Sequence, residues 1–489
     1  QATLPLGQAV LRVASVGLER SLYDPQVQQV RELGHWTLMR MHDSAAVWLY
    51  LMHVAGGEPL RSVPWLQEEG DENATRDPAL RVAALRLLGQ RNKSVFRPIV
   101  QAALGDGDPR VRLAAAEALG RINRRLSLPV LLRAMGTERH GVVSQALVHT
   151  LQKLLKKHHD EIPRKTRHRA VRACLRLLDT NGWRVQMRVV ELIAKYPCMD
   201  SIPALIDVMR RRETDMLRKV VNKNASPLLR HKAWQALRVL TGAVLPKDPD
   251  TWEEFWERER DRIVLVEPRR QKPPPNATRV RSTFYGIPVL GQEVTFLIDT
   301  SGSMKEEVWD PSSAKPNKPK SKRRGKPKGK RRGKGKTRLQ HARAQIQVAV
   351  QTMDPHSRYH LMTFSSVVRV WNHKPVPPNA QSFRALTACL GHFAAGGGTD
   401  VFAGVLRALN ADQARFGQPA RNDIDELFVL SDGLPSTGDV TDPDEILTAV
   451  RQVNRYAKAR INTVFTGQGE GAEFMRKLAE QNGGVFVQR

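Results

Sequence analysis

Five oxygen-bearing side chains are of the types that bind a divalent cation, and their spacing places them where chain segments end. The first three follow a short apolar segment, the fourth follows three glycines, and the fifth follows a second apolar segment. They are Asp299, Ser301, Ser303, Thr399 and Asp432. Two carboxylates and three hydroxyls form an all-oxygen donor set, which suits Mg²⁺, with Mn²⁺ and Ca²⁺ as alternatives. The set contains no His or Cys, which disfavours Zn²⁺.

The elements that must position these residues alternate between strands and helices. Strands are predicted at 293–299, 358–364, 367–371, 426–430, 461–466 and 485–488. Helices are predicted at 337–353, 383–393, 401–409, 443–459 and 473–481. This alternation predicts a mostly parallel sheet with helices on both faces. Ligands of such sheets bind at the carboxyl ends of the strands, so we expect the five side chains to meet there.

The same residues match the pattern of a known family. The motifs Asp299-x-Ser301-x-Ser303, Gly397-Gly398-Thr399 and Ser431-Asp432-Gly433 resemble the metal-ion-dependent adhesion site of von Willebrand factor type A (VWA) domains. The resemblance covers about residues 285–489 and implies an α/β doubly wound, Rossmann-like fold. It also implies that the serines and the threonine contact a Mg²⁺ ion, and that the carboxylates often act through water. An acidic residue of a protein partner would complete the coordination.

A strongly basic tract departs from that family's pattern directly after the first motif. Residues 315–338 contain nine Lys and five Arg and no acidic residue. The composition predicts a disordered, solvated insertion over 310–336. Two interpretations stay open: a tolerated surface insertion, or an arm that binds polyanions such as nucleic acid or acidic polysaccharide. The candidate polyanion-binding residues are Lys322, Arg323, Arg324, Lys330, Arg331 and Arg332.

The N-terminal half contains a repeat. An Asp-Pro-x-x-Arg-x-Ala-Ala motif starts at Asp77 and again at Asp108, an offset of 31 residues. Asp followed by Pro predicts a helix start, and the Leu-Gly pairs that end at Gly89 and Gly120 predict helix ends. Each first helix is followed by a second. Helix pairs stacked at this period predict an α-solenoid, and the motif resembles short bacterial HEAT repeats.

These patterns divide the chain into four parts. A helical cap region is predicted at 1–76, a HEAT-like α-solenoid at 77–262, a Pro-rich linker at 263–284 and the VWA domain at 285–489. The predicted fold class is therefore multidomain, with an all-α solenoid followed by an α/β domain.

The composition and the first residue of the chain bear on where in the cell the protein is located. The formal net charge is +29, the three cysteines are too few for a dense disulfide framework, and the longest apolar runs are too short to span a membrane. The chain begins with Gln1 rather than Met. Removal of a signal peptide would explain this and would give a secreted, periplasmic or cell-surface protein. If Gln1 is only an arbitrary boundary of the sequence, a cytoplasmic location is also possible.

The leading interpretation is a non-enzymatic, metal-dependent adhesion or scaffold protein, similar to large bacterial exported or surface proteins with this domain pairing. Its partner would be a protein that supplies an acidic residue to the metal. We do not expect an enzyme, because no His stands near Ser301 or Ser303 in the motif to act as a base. Two alternatives remain. The chain could bind RNA as Ro-type ribonucleoproteins do, which its basic charge allows, or it could be an assembly subunit for an AAA+ partner.

Overall fold

A computed structural model describes the chain over residues 3–15, 25–41, 44–56, 72–122, 125–180, 182–211, 214–215, 220–221, 226–265, 282–307, 336–372, 374–411, 416 and 424–489. The chain forms two compact units. One consists of residues 1–278 and 410–422, and the other of residues 279–409 and 423–489. The predicted fold class is confirmed: the first unit is helical, and the second is built on a six-stranded sheet.

The described helices of the first unit begin at Thr3. They are α1 (Thr3–Ser15), α2 (Pro25–Arg40), α3 (Ala45–Gly56), α4 (Glu72–Arg76), α5 (Pro78–Arg91), α6 (Arg97–Ala102), α7 (Pro109–Ile122), α8 (Leu128–Thr137), α9 (Gly141–Lys157), α10 (Arg164–Leu175), α11 (Leu177–Thr180), α12 (Trp183–Ile193), α13 (Ser201–Arg210), α14 (Pro227–Thr241) and α15 (Pro249–Glu259). Among the described residues of both units, no helix is both long and apolar enough to cross a membrane.

These helices are arranged as repeated pairs. The first helices of successive pairs, α5, α7, α9, α12 and α14, pack one against the next. The second helices α8, α10, α13 and α15 do the same. Contacts between equivalent helices of neighbouring pairs thus run along the unit from α5 to α15, which is the arrangement that defines a solenoid.

The starts of the repeat helices are as predicted, but both predicted ends are wrong, because the helices continue past Gly89 and Gly120. The carboxylate of Asp77 accepts a hydrogen bond of 2.8 Å from the N–H of Ala79, which caps α5. Gly89 does not end this helix, because α5 continues to Arg91. The residue that caps its C-terminus is Asn92, whose φ is +56°. A Cβ atom at Gly89 would lie 2.7 Å from Cα of Ala118 in α7. The glycine therefore serves close packing between helices.

The arginine of the repeat motif links neighbouring pairs. Arg112 donates to both carboxylate oxygens of Glu138, at 2.8 and 3.0 Å, and Glu138 lies 26 residues further along the chain. Its guanidinium also donates to the carbonyl of Asp106 at 2.8 Å. Arg81, the equivalent residue one repeat earlier, forms an ion pair with Asp106. These bidentate and backbone contacts fix the spacing between repeats more firmly than a single surface ion pair would.

The second unit contains a sheet of strands β1 (Glu293–Asp299), β2 (Arg358–Phe364), β3 (Val368–Val370), β4 (Glu426–Ser431), β5 (Arg460–Phe465) and β6 (Gly483–Gln488). Their order in the sheet is β6-β5-β4-β1-β2-β3, and every neighbouring pair is parallel except β2 and β3. The helices are α16 (Arg338–Thr352), α17 (Ala380–Gly391), α18 (Val401–Ala408), α19 (Pro443–Ala457) and α20 (Gly471–Gln481). The strand order reverses between β1 and β4, which makes this the crevice where doubly wound sheets bind ligands.

The end of the predicted linker belongs to this unit. Phe284 is fully buried, and its ring lies 5.2 Å from that of Phe296 and 5.5 Å from that of Phe428. The hydroxyl of Ser282 donates to the carbonyl of Ala349 at 2.8 Å. Burial of an aromatic side chain stabilises the packed position strongly, so residues 282–284 are part of the second unit's core rather than of a linker.

Candidate metal centre

The ends of β1 and β4 bring the two carboxylates to one edge of the sheet. Asp299 is the last residue of β1, and Asp432 directly follows β4. The two strands are parallel neighbours, with Ile298 paired to Leu430. Two segments that are more than 130 residues apart in sequence therefore place their carboxylates at the topological switch point of the sheet.

Asp299 is fully buried and is held by hydrogen bonds on both of its oxygens. Oδ1 accepts from the N–H of Ser301 at 2.7 Å, and Oδ2 accepts from the hydroxyl of Ser431 at 2.7 Å. Burial, together with the smaller effect of the nearby charge of Asp432, raises the pKa of the Asp299 carboxyl to about 6, and the bonds from Ser431 and Ser301 oppose the rise. A divalent cation would favour the charged form of this carboxyl.

The two serines connect the β1 loop to Asp432. The hydroxyls of Ser301 and Ser303 lie 3.1 Å apart, and the hydroxyl of Ser303 donates to Oδ1 of Asp432 at 2.7 Å. Ser301 is 2% exposed. The hydroxyls of Ser301 and Ser303 and the carboxylate of Asp432 thus form one continuous chain of hydrogen-bonded oxygen atoms.

Thr399 reaches the same edge on the glycine loop. The N–H of Gly302 donates to the carbonyl of Gly397 at 3.0 Å, so this loop lies directly against the β1 loop. Thr399 is buried, and its backbone exchanges hydrogen bonds with Ser436, at 3.0 Å to the hydroxyl and 2.9 Å from the N–H. A Cβ atom at Gly398 would lie 2.3 Å from Cγ2 of Thr437, so only glycine fits at this approach.

Sequence reasoning counted Arg338 with the basic residues that precede the predicted helix 337–353 and missed its contact with the site. Nη1 of Arg338 donates to Oδ2 of Asp432 at 2.9 Å and also lies 2.9 Å from Oε2 of Glu306. The Arg338 side chain is only 10% exposed and that of Asp432 is fully buried. The signal that identifies Arg338 is the capping box formed by Thr337 and Gln340, which marks it as the first residue of α16.

The donor set fits a hard divalent ion. The available ligand atoms are hydroxyl and carboxylate oxygens, and the guanidinium of Arg338 shows that the site already attracts positive charge. Nowhere in the described part of the chain, this site included, do three His, Cys, Asp or Glu side chains cluster as a metal site, so an ion here would depend on the hydroxyls as well as on the two carboxylates. The residues that would hold an ion here are Asp299, Ser301, Ser303, Thr399 and Asp432.

The six candidate polyanion-binding residues lie outside the described residues, which end at Glu307 and resume at Lys336. The two flanking segments are described. Glu307 and Thr337 form an antiparallel bridge, and the N–H of Arg338 donates to the carbonyl of Glu306 at 2.8 Å. The basic tract therefore leaves and re-enters the domain at a single point beside Asp432.

Two family models match the chain. The model for HEAT repeats matches residues 72–152, and the model for the von Willebrand factor type A domain matches residues 294–434. The VWA match contains all five candidate metal ligands and includes the strands β1 and β4. The helix pairs of the first unit continue beyond the HEAT match, as far as α15.

Similar solved structures match about two fifths of the chain at low identity. A von Willebrand factor type A protein from Catenulispora acidiphila is 18% identical, with a TM-score of 0.28, and the match covers 40% of this chain and 38% of that one. An aerotolerance-related membrane protein from Bacteroides fragilis is 14% identical, with a TM-score of 0.27, over 41% of this chain and 92% of that one. The PilB minor pilin from Streptococcus sanguinis is 14% identical, with a TM-score of 0.29, over 41% and 58%.

Proposed function

We propose that this chain, which carries HEAT repeats and a VWA domain, is a non-enzymatic protein that binds a partner through a divalent metal ion. Both matched families support a protein-interaction or scaffold role. The metal-dependent part of the proposal rests on the second unit. The helical repeats would supply an extended surface for the same partner or for another one.

One observation carries the proposal. The hydroxyl of Ser303 joins the β1 loop to Asp432 at 2.7 Å, at the edge where the strand order reverses. The five candidate side chains supply fewer ligands than the six of Mg²⁺ or the six to eight of Ca²⁺, if each contributes one oxygen atom. A bound ion would therefore still attract a further carboxylate, such as an acidic side chain of a partner.

The local chemistry favours binding over catalysis. The hydroxyl of Ser301 lies against that of Ser303, which donates to a carboxylate. A nucleophilic serine is normally activated by an adjacent base, which is most often a histidine. The hydroxyls of this site are better placed to act as ligands than to attack a substrate.

Calorimetric titration with Mn²⁺ and Mg²⁺ tests the metal site. We expect the wild type to bind one ion, and Asp432→Ala and Ser303→Ala to lose at least about 90% of that affinity, because each removes a ligand oxygen. Ser357→Ala is a matched control, since Ser357 is a buried serine at the other end of the sheet whose hydroxyl donates to the carbonyl of Asp354 at 2.6 Å. Equal binding by Asp432→Ala and by the wild type would refute the site.

A polyanion-binding function is a second candidate, favoured by one basic segment of the first unit. Residues 153–176 contain nine Lys or Arg and two acidic residues. Exposed basic side chains there are Lys153, Lys156, Lys157, Arg164, Lys165, Arg169, Arg172 and Arg176. Fluorescence anisotropy with a single-stranded RNA at several salt concentrations would test it. The triple variant Lys156→Glu, Lys157→Glu, Lys165→Glu should show a shallower salt dependence, by about 0.7 in log–log slope for each phosphate that is no longer neutralised.

A further inference from the structure

We infer that Arg338 is an internal counter-cation of the candidate metal site, which neutralises Asp432 when no divalent ion is bound and competes with an ion that binds. The inference rests on the proposed metal-binding function and assigns a regulatory residue to that site. It concerns a residue outside the five-residue motif, at the point where the basic insertion rejoins the domain.

The contacts of the guanidinium support this role. Nη1 of Arg338 is 2.9 Å from Oδ2 of Asp432, 2.9 Å from Oε2 of Glu306 and 3.4 Å from the carbonyl oxygen of Ser303. The other oxygen of Asp432 accepts from the Ser303 hydroxyl. The positive charge therefore lies within hydrogen-bonding distance of one candidate metal ligand and touches the backbone of another.

The electrostatic balance of the site requires a cation. Asp299 and Asp432 are both buried at the same sheet edge, and a buried carboxylate without a compensating charge is strongly unfavourable. The compensating charge can come from Arg338 or from a divalent ion. Because two cations close together in a poorly solvated site repel each other, each one weakens the binding of the other.

The backbone at Arg338 is held in place by the start of α16. Arg338 is the first residue of α16, behind a capping box in which Thr337 and Gln340 exchange hydrogen bonds of 3.0 and 3.2 Å. A cation in the first turn of a helix is opposed by the helix dipole. An arginine at this position therefore does not stabilise the helix, but it does stabilise the charges of Asp432 and Glu306.

The test compares Arg338→Gln with Arg460→Gln. Arg460 forms the same kind of pair at the other end of the sheet: it lies 2.8 Å from Oε1 of Glu426, and the two side chains are 10% and 0% exposed, as in the Arg338–Asp432 pair. Both variants should have a lowered melting temperature in EDTA. Only Arg338→Gln should regain most of that loss in saturating Mn²⁺, and its Mn²⁺ affinity should rise about tenfold or more.

The remaining outcomes are also decisive. Unchanged or weaker Mn²⁺ binding by Arg338→Gln, with normal binding by the wild type, overturns the role of Arg338 and leaves the metal site intact. Absence of Mn²⁺ binding in both proteins overturns the metal site and this inference with it. If Arg338→Gln does not fold in either buffer, Arg338→Lys replaces it. That variant keeps the positive charge, so its Mn²⁺ affinity should stay within about threefold of the wild-type affinity. A Mn²⁺ affinity about ten times that of the wild type would refute the inference.

Discussion

Asp425 and Glu426 form a buried acidic pair at the amino ends of the strands. Oε2 of Glu426 accepts from the N–H groups of Leu290 and Gly291, both at 2.7 Å, and Asp425 accepts from those of Gln292 and Glu293 at 3.0 and 3.1 Å. Burial raises the pKa of Asp425 to about 8, with the charges of Glu426 and Glu293 contributing to the rise and the backbone donors opposing it. The pair holds the loop that leads into β1.

This pKa makes the stability of the second unit depend on pH. The folded chain keeps a proton on Asp425 between about pH 4 and pH 8, where an unfolded aspartate has lost it. Stability should therefore fall as the pH rises through this range, by at most about 1.4 kcal/mol per pH unit. Thermal denaturation at pH 5 and pH 7.5 measures the slope, and Asp425→Asn should flatten it. A slope that is the same in wild type and variant would show that another group causes it.

Sequence patterns predicted which motif residues lie at the sheet edge, but they did not predict the contacts of residues outside the motifs. The candidate oxygen donors could be placed there because their motifs follow recognisable strands or a glycine loop. Arg338 was missed because its neighbours in sequence are basic and polar, whereas its partners Asp432 and Glu306 are defined by the fold. The capping residues Thr337 and Gln340 were the only local sign that the tract had ended and a helix had begun.

At the scale of elements, strand and helix positions followed from apolar patterning, because parallel strands buried on both faces form nearly continuous apolar runs. The glycines of the repeat show the limit of this reasoning. Gly89 was expected at a helix end, yet it lies inside α5, where α7 approaches too closely for a side chain. Helix propensity describes a single helix and contains no information about the distance to the next one.

Substitution of Gly89 separates these two roles. Gly89→Ala should destabilise the first unit by about 1–3 kcal/mol through overpacking against Ala118, even though alanine favours the helix itself by roughly 1 kcal/mol. Gly105→Ala is the control, because a Cβ atom there meets nothing within 4 Å. Urea denaturation of both variants gives the comparison. A stabilised Gly89→Ala would mean that α5 and α7 can separate at no cost.

At the scale of the whole molecule, the alternation of strands and helices was enough to predict the doubly wound sheet, and a repeated motif was enough to predict the solenoid. The extent of each unit was harder to predict. Phe284 follows a Pro-rich stretch that resembles a linker, but its aromatic ring completes the core between Phe296 and Phe428. Phe416 belongs to the first compact unit, where the guanidinium of Arg86 lies over its ring, although in sequence it stands between segments of the second. Such long-range partners have no local signal in the sequence.

Deletion of residues 315–335 tests what the basic tract contributes to the whole molecule. The ends of the tract are joined by the bridge between Glu307 and Thr337 and by the Arg338–Glu306 ion pair, so the remaining residues can close the loop without moving β1 or α16. The deleted chain should therefore fold and keep the metal affinity of the wild type.

Polyanion binding should change instead. The deletion removes twelve Lys and Arg residues and no acidic residue. Polyanion affinity depends mainly on the release of counterions by such charges, so retention on heparin at about 50 mM salt should fall sharply, and the salt dependence of binding to DNA should become shallower. If the deletion leaves heparin affinity unchanged and the triple variant Lys156→Glu, Lys157→Glu, Lys165→Glu abolishes it, the basic segment 153–176 is the polyanion-binding site, and the tract beside Asp432 has another role.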